Sequence, residues 1–159
     1  MNESYETPTM EAEVSLGTTV GISTVTPAEC SVFVQIWVDT NAIQAGSTNG
    51  VYLIDSNQSS GSSKEGSPLL NTHIPTNSKI CWQLVAVNKN WKGELSIQNF
   101  SNSGVFGASG TPKRVDATTW TGQVQDNGSD NYQIIFNVQQ EGGSGISVTV
   151  NPTLTVTNQ

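Results

Sequence analysis

Residues Ile146–Gln159 read ISVTVNPTLTVTNQ, and the reading of this ending decides the fold. Ile146, Val148 and Val150 share one parity, and Pro152, Leu154 and Val156 continue it. A period of two marks a half-buried strand. Proline has no N–H to give to a ladder, so Pro152 belongs at an edge, a bulge or a crossing between sheets. The expectation is one long strand bent at Asn151-Pro152, its halves serving different parts of a β fold.

The same alternation recurs upstream. In SVFVQIWVD, Val32, Val34, Ile36 and Val38 share a face, opposite Phe33, Gln35, Trp37 and Asp39. GVYLID is a short strand, and NQSSGSSKEG (57–66) reads as a loop. KICWQLVAV is apolar on both parities, through Ile80, Trp82 and Leu84 and through Cys81, Val85 and Val87. It is therefore expected at the centre of a sheet, buried on both faces. ELSIQNF, GVFG, TWTGQV and NYQIIFNV supply further strands, with Tyr132, Ile134, Phe136 and Val138 inward. QDNGSDN, with Asn127-Gly128, reads as a hairpin turn. TNAIQAG (40–46) allows one helical turn. Eight or nine strands at this spacing predict an all-β protein, an antiparallel β-sandwich of jelly-roll-like form. Its core is expected to hold Val34, Ile36, Trp82, Leu84, Ile134, Phe136, Val148 and Leu154.

Composition narrows the function classes. The 159-residue chain has a net charge of −7 with only six basic residues, and no basic stripe suited to nucleic acid. Glu3, Glu6, Glu11 and Glu13 open the chain; taking those four from −7 leaves −3 on the rest. A nearly neutral surface rich in Ser, Thr, Asn and Gln is prone to self-association. MNESYETPTMEAEVS lacks the basic and apolar regions of a signal peptide, so a cytoplasmic setting without membrane insertion is expected. Cys30 and Cys81 are then expected as reduced thiols, Cys81 as a small buried hydrophobe.

The chemistry-bearing residues are sparse. His73, the single histidine, sits in NTHIPTN, which reads as a turn-rich loop. No Gly-x-Ser-x-Gly elbow accompanies it, and two cysteines with one histidine do not make a zinc site. No catalytic residue, metal or cofactor is expected. DNGSDN (126–131) carries the oxygen ligands Asp126, Asn127 and Asp130, but not a full calcium loop. Trp91, in NKNWKGE, is flanked by polar residues and reads as exposed, where a sugar ring would stack. Trp91, Asp126, Asn127 and Asp130 are the candidate ligand-binding residues.

VFVQIWVDTNAI, GVYLID, IPTNSKICWQL and the ending VNPTLTVTN, in this order, resemble the bacterial PixA/AidA inclusion body protein family. Asp39, Ile43, Trp82, Asn151 and Pro152 carry the resemblance, which covers about residues 31–159. Asn151 stands where that family often has Asp, and Val150 where an aromatic is usual. The resemblance implies a soluble all-β protein of the cytoplasm, sometimes stored as inclusions, and brings no catalytic residues. The expected organisation is an acidic, Thr/Gly-rich arm over 1–30 and a β-sandwich domain over 31–159. The expected function is that of a non-enzymatic, self-associating structural or storage protein, with homo-oligomers as the partner. The alternative is a lectin-like module that binds a glycan. The arm, with strand-like Val14, Leu16, Val20, Ile22 and Val25, is expected to pair with a sheet edge of a neighbouring copy, the strand from Thr153 being one such edge.

Overall fold

Alternating burial runs through most strands of the structure, a computed structural model that describes residues 24–101 and 104–158. The described strands are β1 Val32–Val38, β2 Val51–Asp55, β3 Asn71–Pro75, β4 Lys79–Ala86, β5 Glu94–Phe100, β6 Lys113–Asp116, β7 Thr119–Gln123, β8 Gly128–Asn131, β9 Ile134–Gln139, β10 Gly145–Val150 and β11 Thr153–Thr157. Helix among the described residues is limited to short 3-10 turns at Pro27–Glu29, Gln58–Ser60 and Gly104–Phe106. The strands form three sheets, ordered β2-β1-β4-β7-β6, β10-β9-β5 and β3-β11-β8.

The all-β expectation holds; the count and the wholly antiparallel sandwich do not. Eleven described strands lie in three sheets, two of them mixed, because β1 pairs with β4 in parallel and β3 with β11 in parallel. The long connections between these partners make parallel pairing possible. β6 and β8 are exposed at every position, so no apolar alternation marks them in sequence. β3 replaces the loop expected around His73, and the strand expected at Val105-Phe106 is a 3-10 turn with both residues buried. TNAIQAG makes turns and no helix.

The closing stretch explains its proline. Asn131 opposes Thr153 and Ile134 opposes Val150, so the register runs unbroken past Pro152. Tyr132 N donates to Pro152 O at 3.0 Å across the gap. β8–β9 and β10–β11 are thus one long antiparallel ribbon. Its β9–β10 half pairs through β9 with β5, and its β8–β11 half pairs through β11 with β3. Pro152, itself buried, sits where the ladder changes sheets, as its missing N–H requires. The strand from Thr153 is flanked by β3 and β8. It is not the free edge that was expected. Nor is Asn127-Gly128 a hairpin turn: it leads from β7 in one sheet to β8 in another.

One hydrophobic cluster joins the three sheets. All eight expected core residues are buried in it. Trp82 lies at its centre, 4.7 Å from the Phe100 ring, 5.9 Å from Phe106 and 6.0 Å from Tyr132. Its indole N–H donates to the Tyr132 hydroxyl at 3.0 Å. Burial in this cluster holds the Tyr132 phenol well above its ordinary pKa. β4 is central, as expected, but only Cys81 is buried on its second face; Gln83 and Val87 are exposed. Residues 24–30 account for the difference at that end. Thr121 Oγ1 donates to Val25 O at 2.7 Å, and Lys79 pairs with Glu29 at 3.0 Å. The remainder of the expected arm, and its expected pairing with another copy, lie outside the described residues.

Candidate association surface

The five-stranded sheet has an inner face in the core and an outer face turned away from it. On β1 the outward residues are Phe33, Gln35 and Trp37; on β2 they are Tyr52 and Ile54. Antiparallel pairing sets Trp37 opposite Tyr52 and Gln35 opposite Ile54. Parallel pairing sets Phe33 beside Cys81, Gln35 beside Gln83 and Trp37 beside Val85. Phe33, Tyr52 and Ile54 stay 42%, 45% and 37% exposed, so three large apolar side chains share this end of the sheet. Between them Gln35 accepts from Trp37 Nε1 at 3.1 Å and donates to Gln83 Oε1 at 3.5 Å. A shallow depression of about 250 Å³ is lined by Phe33, Gln35, Ile54, Asp55 and Ser56. Its rim is fixed by Phe33, whose N–H donates to Ser56 Oγ at 3.0 Å while its carbonyl accepts from Ser56 N at 3.0 Å.

At the end of β2 lies a carboxyl pair that the sequence did not single out. Asp55 N donates to Glu65 Oε1 at 2.9 Å, and Asn57 N donates to Asp55 Oδ1 at 2.9 Å. The remaining oxygens, Asp55 Oδ2 and Glu65 Oε2, are buried and have no hydrogen-bond partner. Burial first, and then Asp55, push the Glu65 carboxyl up to about 7. Bridges from Leu53 to Ser67 and from Ser63 to Asn71 order the intervening loop and bring Glu65 back to β2. No spacing rule announces such a contact between a strand end and a loop.

The residues expected to bind a ligand are dispersed. Trp91 is half-buried rather than exposed: it packs against the core cluster, and its N–H donates to Gln140 Oε1 at 2.7 Å. Less of its ring is left for stacking than an exposed tryptophan offers. Asp126 and Asn127 precede β8, and Asp130 lies on it opposite Leu154. Asn127 Oδ1 accepts from Thr76 Oγ1, tying the connection to the end of β3. Among the described residues no three His, Cys, Asp or Glu side chains gather as metal ligands. His73 faces Gly61, and its backbone N–H donates to Ser62 Oγ at 2.9 Å. No helix among the described residues is long and apolar enough to cross a membrane.

A family profile described as a domain of unknown function, DUF8788, matches residues 30–144, well over half of the chain. The chain belongs to the DUF8788 family. No curated protein matches it by sequence. Among solved structures, this DUF8788 chain is similar to the PixA inclusion body protein from Burkholderia cenocepacia J2315. The TM-score is 0.62 at 13% identity, over 85% of this chain and all of that one. At that identity the likeness shows the fold alone. An endo-fucoidan hydrolase of glycoside hydrolase family 107 gives a TM-score of 0.32 at 16% identity, over 58% of this chain and 13% of that one. That score carries no argument.

Proposed function

We propose that this chain is a non-enzymatic, self-associating structural or storage protein of the PixA/AidA inclusion-body type, working in the cytoplasm. The observation that carries the reading is the outer face of β1 and β2, where Phe33, Tyr52 and Ile54 remain open to solvent. Clustered apolar groups on a surface with little net charge favour contact between copies. The fold shared with a protein titled an inclusion body protein supports the same reading.

Light scattering after size-exclusion chromatography tests it. The full chain is expected to form oligomers, and deletion of residues 1–26 is expected to shift it to smaller species. A monomer from both chains would remove the proposal. A glycan array separates the lectin-like reading: saturable binding lost on Trp91→Ala would favour that alternative instead.

A further inference from the structure

Near Lys79 and Cys81 the outer face of the five-stranded sheet is crossed by the segment that leads into β1. Ser31 N donates to Lys79 O at 3.0 Å, one step before the β1–β4 register begins. Glu29 is held by Lys79 at 3.0 Å. Farther back, Val25 O accepts from Thr121 Oγ1 at 2.7 Å. Thr121 is the residue directly opposite Cys81 in the β4–β7 ladder. A segment fastened at 25, 29 and 31 to positions 121 and 79 passes over the neighbourhood of Cys81. Cys30 lies within that span. It is half-buried, Cys81 is buried beneath the segment, and both are free thiols. The two thiols are near enough for each to perturb the ionisation of the other, and Cys30 Sγ donates to Thr26 O at 3.7 Å.

We propose that Cys30 and Cys81 close to a reversible intrachain disulfide, a modification site that fastens the root of the N-terminal segment to the central strand β4. The oxidant is a small soluble disulfide of the glutathione type. Cys30, the more accessible sulfur, attacks as thiolate and takes one half of that disulfide, releasing the other half as a thiol. Cys81 then gives up its proton and attacks Cys30 Sγ, and the second small thiol leaves. Two protein thiols are oxidised and one small disulfide is reduced to two thiols, so electrons and protons balance. Burial raises both groups, Cys81 up to about 12, so the thiolate forms are scarce at neutral pH. Closure is slow there and accelerates as pH rises.

The test treats the full chain with glutathione disulfide at mildly alkaline pH, then unfolds and alkylates it for intact-mass measurement. Before oxidation two alkyl groups should add; afterwards none, with the mass lower by two hydrogens. Digestion should yield one peptide joining Cys30 to Cys81, and dithiothreitol should restore both thiols. Cys81→Ala should stop at glutathione carried on Cys30, which shows the order of attack. The proposal is overturned if the wild-type chain stops at that mixed disulfide, links to a second chain, or keeps both thiols through a treatment that oxidises a control dithiol.

Discussion

Trp82 and Trp120 face each other across the β4–β7 ladder, yet their indole nitrogens are differently served. Trp82 donates to Tyr132, whereas Trp120 Nε1 is buried without an acceptor. Trp82→Ala should cost about 3–5 kcal/mol, the range for deleting a large buried aromatic. Trp82→Phe should cost more than Trp120→Phe by about 1 kcal/mol, the net worth of one hydrogen bond. Denaturant melts of the variants check both statements. The Asp55–Glu65 pair makes a separate prediction. Glu65 titrates at about 7 in the fold against an ordinary value of 4.5, so the folded chain holds the extra proton in that window. Its contribution is fully present below pH 4.5 and is lost as pH rises through about 7. Glu65→Gln, which puts a neutral amide in the buried site, should flatten stability over this window and melt above wild type at pH above 7. A wild-type slope unchanged in Glu65→Gln would place the proton elsewhere. The buried aromatics were legible in sequence because their strands alternate. The carboxyl pair was not, because a loop brings its second member.

At the scale of elements, β5 shows how pairing and parity separate. Ile97 opposes Phe136 and Phe100 opposes Ile134, with an irregularity between Ile97 and Asn99. Gln98 is the extra, exposed residue, and it lets Ile97 and Phe100 both turn inward at a spacing of three. Deleting Gln98 should therefore leave a cooperative fold with the same core. Deleting Gln83 from β4 shifts Trp82 or Leu84 to the wrong face and should abolish cooperative melting. Circular dichroism melts of the two deletions distinguish them; equal damage would deny the bulge its role. Period-two alternation made β1, β4, β9, β10 and β11 legible, and the proline showed where the last strand must break. β6 and β8 were not legible, because KRVD and GSDN are held by backbone pairing without any apolar face. The Asn127-Gly128 signal misled for a related reason: its local turn chemistry serves a passage between sheets rather than a hairpin.

For the whole molecule, the three sheets enclose one core and leave the outer face of β1 and β2 with exposed Phe33, Tyr52 and Ile54. In sequence, Phe33 and Trp37 could be assigned to the second face of β1. Which face met solvent depended on distant strands, so the surface became visible only in three dimensions. The carboxyl pair at its rim ties self-association to pH: charge from loss of the Glu65 proton should weaken contact between copies above about pH 7. The most direct measurement is sedimentation velocity of the wild-type chain beside Phe33→Ser/Ile54→Ser, across a concentration series at one pH below 7. These side chains are exposed, so the double variant should keep its melting temperature near that of wild type. The expected result is a wild-type sedimentation coefficient that grows with concentration and a double variant fixed at the monomer value. Identical monomeric boundaries from both chains at every concentration would contradict the account.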